Sequence, residues 1–265
     1  MIDTHAHLNF NSFENDLDQV IAEASKKGVE IIINVGTKLD SSQKAVELAN
    51  NYKSLYAIVG IHPHHADKLE ENWEEKIFNL AKRNKVVGIG EVGLDYYQYK
   101  SNGITSPTLQ KEIFEKQILL STELKLPLQI HNRHAGEEVI EILKKHKKIL
   151  LDPPGMFHCF AGTKAVLKNA LSLGFYIGFD GNATYKGKAP GESVEIKEII
   201  KDTPLSRIVT ETDSPYLTPE PYRGTRNTPA YVILVGEYIA KIKNLSFAEV
   251  KHFTAKNAKD LFHLS

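Results

Sequence analysis

Eight short runs rich in β-branched and apolar residues recur along the chain, and the stretches between them carry apolar residues at helical spacing. The runs are Ile2 to His7, Glu30 to Val35, Leu55 to Ile61, Val86 to Glu91, Pro127 to His131, Met156 to Phe160, Phe175 to Phe179 and Ile208 to Thr212. Amphipathic segments lie between them, as in Leu17 to Lys27, Ser41 to Asn50, Gln110 to Leu124 and Glu137 to Lys145, with Gly28 and Lys125 at helix ends. Strands that alternate with helices build a parallel sheet, because each return to the sheet needs a helical crossover. Eight such units predict an α/β fold of the TIM (β/α)8 type. Tyr231 to Ile242 and Phe247 to Leu261 read as the last helix of the ring and an appendage. No repeat, low-complexity tract or linker interrupts the pattern, so a single domain over residues 1–265 is expected.

Composition narrows the setting. Apolar residues make up 42% and charged residues 25%, which suits a packed globule. Lys plus Arg equals Asp plus Glu, 33 against 33, so no global field holds a polyanion or a membrane surface, and any attraction to nucleic acid must be local. One cysteine excludes an internal disulfide framework, and no run has the length of a signal peptide core or a membrane span. A cytoplasmic protein is expected, with a monomer favoured.

Active sites of these barrels are assembled at the C-terminal ends of the strands. Potential metal ligands fall there: His5 and His7 on strand 1, Glu91 on strand 4, His131 on strand 5, His158 on strand 6 and Asp213 after strand 8. Side chains two apart on a strand share a face, so His5 and His7 can reach one cation. Six nitrogen and oxygen donors suit two divalent ions. The mixed imidazole and carboxylate set selects Zn, Mn, Ni or Fe(II), with Mg admitted where carboxylate and water dominate. Glu91 is the best placed to bridge a His5/His7/Asp213 site and a His131/His158 site. Two such ions sharing one water are suited to hydrolysis.

The residues around these donors carry a resemblance. Ile2-Asp-Thr-His-Ala-His-Leu8, Gly60-Ile-His-Pro-His64, Gly90-Glu-Val-Gly-Leu-Asp-Tyr-Tyr97, His131-Asn-Arg-His-Ala135, His158-Cys-Phe-Ala-Gly162, Glu211-Thr-Asp-Ser-Pro-Tyr-Leu217 and Tyr222-Arg-Gly-Thr-Arg-Asn-Thr-Pro229 together resemble the TatD family of metal-dependent deoxyribonucleases, in the amidohydrolase-like barrel group. The resemblance covers nearly the whole chain. It implies a TIM barrel, two divalent metals at the six positions, and hydrolysis of DNA phosphodiesters, often from a 3′ end. The chain departs from the pattern at His134, where Asp is common, at Ala161, where Ser is common, and in the longer loops Gln98 to Thr108 and Tyr185 to Glu192.

The other polar residues are read against plainer roles. His62 and His64 form a second His-x-His pair, and the residues alone leave it as a rival metal pair; the resemblance implies contact with the scissile phosphate instead. Arg133, Arg223 and Arg226 are candidate phosphate contacts, because a guanidinium fork matches phosphate oxygens, with surface ion pairing as the alternative. Asp213 is expected to act as both ligand and proton acceptor. Asp95 and Glu211 either orient ligands or simply hydrogen bond in a polar pocket. Tyr96 and Tyr97 either stack on a base or pack beneath the loop, and Cys159, facing away from His158, reads as buried filler. DNA is thus the expected substrate. The alternatives are a hydrolase of amide, lactone or aminoacyl-tRNA ester bonds in the same barrel group, and a non-enzymatic partner protein in DNA repair or fragmentation. Glu91 on strand 4, where many amide-cleaving relatives carry a carboxylated lysine, argues against the first. Retention of all six donors argues against the second.

Overall fold

The computed structural model describes residues 1–100, 103–188 and 194–264. Its strands are β1 (Ile2–Ala6), β2 (Ile31–Val35), β3 (Leu55–Val59), β4 (Val86–Asp95), β5 (Leu128–Arg133), β6 (Gly155–Phe157), β7 (Tyr176–Phe179) and β8 (Ile208–Thr210). They form one parallel sheet in the order β1 to β8. Ala6 pairs with Ser214, Asp213 donates its N–H to His5 O at 2.9 Å, and His7 donates to Ser214 O at 2.8 Å. These bonds draw the end of the sheet back onto its start, so the (β/α)8 barrel predicted from the alternation is the fold observed.

The described α-helices are α1 (Leu17–Lys26), α2 (Leu39–Asn51), α3 (Trp73–Ala81), α4 (Pro107–Leu124), α5 (Gly136–Lys145), α6 (Lys164–Ser172), α7 (Ile196–Asp202), α8 (Val232–Lys243) and α9 (Phe247–Phe262). Local chemistry sets their ends. Pro107 opens α4 with its φ preset, and Lys125 stops it in the left-handed region at φ 54°. Ser246 and Glu249 form a reciprocal capping box at the start of α9. This last helix lies outside the eight-fold alternation and is tied to β8 by Asn257, whose side-chain amide donates to Leu205 O and Ile208 O at 2.9 and 2.7 Å. No described helix is long and apolar enough to cross a membrane.

The strand ends differ from the sequence reading in a way that matters for the site. β4 does not stop at Glu91 but continues to Asp95, because Gly93, Leu94 and Asp95 pair with His131, Asn132 and Arg133 of a similarly extended β5. β6 and β8 are shorter than expected, which leaves His158 and Asp213 on the turns just beyond them. Donors therefore reach the barrel mouth from strand interiors on one side and from turns on the other. The described parts of the two long loops sit at this mouth, with Tyr99, Lys186, Gly187 and Lys188 lining its cavity. Residues 101, 102 and 189–192 of those loops lie outside the described residues.

Candidate metal centre

The first half of the centre comes from β1 and the turn after β8. Asp3 accepts hydrogen bonds from Thr212 N–H at 2.9 Å and Thr212 Oγ1 at 2.6 Å, which fixes β1 against the turn that carries Asp213. His7 donates Nδ1–H to Val35 O at 2.9 Å, so its Nε2 is left with a lone pair. His5 Nε2 faces that atom at 3.0 Å. Asp213 Oδ1 lies 3.6 Å from His5 Nε2 and 3.4 Å from His7 Nε2. Burial holds the fully enclosed His5 ring well below its ordinary pKa, so it is a neutral donor.

Glu91 joins this group to the second. Its Oε2 lies 3.7 Å from His5 Nε2 and 3.8 Å from His7 Nε2. Its Oε1 lies 2.5 Å from His131 Nδ1 and 3.4 Å from His158 Nε2. Each oxygen thus faces one half. The remaining nitrogens of the second half are backed by carboxylates: His131 Nε2 meets Asp95 Oδ2 at 3.0 Å, and His158 Nδ1 meets Glu211 Oε1 at 3.4 Å. Such outer partners fix ring orientation and raise ligand basicity. Although burial opposes charge on both rings, Glu91 and Asp95 push His131 up to about 9, and Glu211 and Glu91 push His158 up to about 10. Neighbouring imidazoles, against the effect of burial, hold the Glu91 carboxyl well below its usual range.

His5, His7 and Asp213 offer atoms within 4.8 Å of one another, and so do Glu91, His131 and His158. Buried carboxylates facing imidazoles that offer a lone pair, His131 and His158 once their protons are displaced, are a donor set that suits divalent cations, so the residues present fit such ions. A rival grouping of His62, Asp95 and His131 is equally compact. It fits a cation less well, because His62 Nδ1 accepts the His64 N–H at 3.1 Å, which leaves a proton rather than a lone pair on Nε2 of a ring held neutral by burial. His62 Nε2 points toward Glu91 Oε1 at 3.6 Å, while His64 Nε2 turns to Asp95 Oδ2 at 3.1 Å, so this second pair does not converge on a single point as His5 and His7 do.

The centre lies in a cavity of about 750 Å³ that His62, His64, Arg133 and Arg223 also line. Arg133 rests on the Tyr97 ring at 4.0 Å and donates to Tyr99 Oη at 2.8 Å. Arg223 stacks on Tyr185 at 4.0 Å. Arg226 is held elsewhere, in an ion pair with Asp16 and a bond to Ser12 O, so it belongs to the surface-pairing alternative. Tyr96 packs with the core and donates to Glu138 at 3.1 Å, and Tyr97 is covered by Arg133. Cys159 is half-buried and does not face away from the site as its position suggested. β6 ends before it, the backbone turns at φ 44°, and its sulfur reaches the cavity wall, where it accepts from Asn182 Nδ2 at 3.2 Å. Burial and the nearby Asp180 carboxyl push its thiol up, so it stays protonated.

Two glutamines that sequence reasoning passed over hold the mouth in shape. Gln117 of α4 accepts from Ile61 N–H at 2.7 Å and donates to Ile61 O at 3.0 Å, beside His62. Gln110, two turns earlier on the same face, accepts from Asp95 N–H at 2.8 Å and donates to Asp95 O at 2.9 Å. The available signal was a pair of amides seven residues apart on an otherwise apolar helix face.

A family model described as TatD related DNase matches residues 2–263. The chain belongs to the TatD family. An uncharacterized metal-dependent hydrolase, YabD, of Bacillus subtilis is 41% identical to this TatD-family chain over 266 residues, with 100% of each covered. A 3'-5' ssDNA/RNA exonuclease TatD of Escherichia fergusonii is 32% identical over 270 residues, again with 100% of each covered. The crystal structure of YJJV, a TatD homolog from Escherichia coli, aligns with a TM-score of 0.90 at 27% identity, covering 100% of this chain and 98% of that one. The chain is therefore a metal-dependent hydrolase of the TatD family, with a cluster of imidazoles and carboxylates at its barrel mouth that can hold metal.

Proposed function

We propose that this TatD-family hydrolase cleaves phosphodiester bonds of DNA from a single-stranded end, the 3′ end by analogy with the relative named an exonuclease. The observation that carries the reading is that the Glu91 carboxylate, one oxygen toward each half of the ligand cluster, shares its cavity with Arg133 and Arg223. Both guanidiniums are held on tyrosine faces, fixed where a bound phosphate chain would pass. A pit of this size admits a strand end more readily than a duplex. Divalent cations, which His5, His7, Asp213, Glu91, His131 and His158 would hold, would supply Lewis acidity to the phosphate and lower the pKa of water.

The chain's own residues do the rest. Arg133 and Arg223 bind backbone phosphates on either side of the scissile one. His62, with Nε2–H turned into the site, donates to a phosphate oxygen and strengthens that bond as charge builds there. Asp213, partly exposed to the cavity, takes the proton of the attacking water. Water adds to phosphorus, the P–O ester bond breaks, and solvent protonates the departing oxygen.

The test is to strip the purified protein of metal, reload it with Mn, Mg or Zn, and offer labelled single-stranded DNA beside a dihydropyrimidine and an aminoacyl ester. Shortening of the DNA, lost roughly 100-fold or more in Glu91→Ala, is the expected result. Hydrolysis of the amide or ester with intact DNA, or DNA cleavage undiminished by Glu91→Ala, would overturn the proposal.

A further inference from the structure

Tyr216 presents an aromatic surface for which neither the fold nor the metal centre has a use. Its backbone is fixed: its N–H bonds Asp213 O at 2.9 Å, and fully buried Asn227 donates to Thr212 O at 2.8 Å and Tyr216 O at 2.6 Å. The residue is nevertheless 54% exposed and lines the cavity, and its side chain makes no hydrogen bond among the described residues. The one ring it meets among the described residues is Phe10, at 6.3 Å and 69°. Phe10 in turn lies parallel to His7 at 4.5 Å and 5°. His7, Phe10 and Tyr216 therefore form a short aromatic path from the ligand cluster to solvent.

The other tyrosines near the mouth are taken. Arg223 covers Tyr185, Arg133 covers Tyr97, and Tyr99 is engaged by Asp95, Arg133 and the His64 ring. Tyr222, also exposed, is stacked on Tyr231 at 5.0 Å and 12°. Among the described residues, no parallel ring or guanidinium covers either face of Tyr216. An aromatic side chain left open on a rigid backbone, in the same cavity as fixed guanidiniums, is a platform for a flat ligand that carries phosphate.

We infer that Tyr216, backed by Phe10, is the stacking platform for an unpaired nucleobase next to the scissile phosphate; this rests on the nucleic-acid reading given above. Stacking uses the π-face that every base has, so the platform selects for unpaired bases and against duplex without selecting sequence. Tyr216 is thus a specificity-determining residue, and the chemistry at the ligand cluster does not depend on it.

The experiment compares an ordinary single-stranded oligonucleotide with one of equal length made entirely of abasic sugar-phosphate. Both are presented to wild type, Tyr216→Ala and Tyr216→Trp of the full chain. Equilibrium binding is read by fluorescence anisotropy with Ca²⁺, and cleavage with Mn²⁺. Wild type should prefer the ordinary strand. Tyr216→Ala should weaken binding and raise KM for it roughly tenfold, with kcat and the abasic strand little changed, while Tyr216→Trp restores the preference. Equal losses on both strands, or an ordinary-strand KM and affinity within about twofold of wild type, would overturn the platform while leaving the nuclease reading intact. Binding that discriminates as described without any cleavage would support the platform and overturn the nuclease reading. Absence of both binding and cleavage in wild type would overturn both. Matching circular dichroism and melting curves confirm that Tyr216→Ala remains folded.

Discussion

At the scale of single residues, the centre is a problem in charge balance. Glu91, Asp95, Glu211 and Asp213 converge on four imidazoles, and in the metal-free protein protons on His131 and His158 offset the carboxylates. Both pKa values are raised in the folded state, to about 9 and about 10, so these rings stay charged at pH 7, where an imidazole in the unfolded chain, at about 6.5, is mostly neutral. Their contribution to stability is fully present below about pH 6.5 and is lost as the pH rises through 9 to 10. Cations that replace those protons must release them. Calorimetric titration of the metal-free protein with Zn or Mn at pH 7, in buffers of different ionisation enthalpy, should report release of about two protons per chain. A binding heat independent of the buffer would contradict this charge balance.

At the scale of elements, the site depends on where strands stop and on what holds their ends. α4 bears Gln110 and Gln117 on its buried face, each closing two hydrogen bonds on the backbone at a strand end. Gln117→Leu keeps the volume but leaves Ile61 N–H and C=O unpaired beside His62. It should cost about 2–4 kcal/mol, and lower Tm by roughly 5–10 °C. Differential scanning calorimetry checks this, and an unchanged Tm would show that water or a small shift replaces the clip. These elements also show how far the amino-acid order could be read. Helical spacing and β-rich runs were enough for eight units, and the convergence of His5 and His7 was legible from their spacing of two, although β1 ends at Ala6 and His7 lies one residue past it. Alternation failed at Cys159, where β6 had already ended and a left-handed turn redirected the side chain. It could not foresee Arg226 paired with Asp16, which needs the ring to close between β1 and β8, or Tyr97 beneath Arg133, which needs the extended pairing of β4 with β5.

At the scale of the whole molecule, donors distant in the chain meet because the barrel closes between β1 and the turn after β8. A net charge of zero leaves attraction to a polyanion to a few side chains at the mouth. Binding of single-stranded DNA should therefore lose affinity with salt at a slope in log–log form of only about −1.4 to −2.8, for about two to four phosphates contacted. A much steeper slope measured by anisotropy would require a basic track outside the pit. The proposed gathering of two cations around Glu91 is tested most directly by a crystal structure of the metal-loaded protein with anomalous data at the metal edge. Two peaks per chain are predicted, one against His5, His7 and Asp213 and the other against His131 and His158, both touching Glu91. A single peak, or one seated among His62, Asp95 and His131, would contradict it.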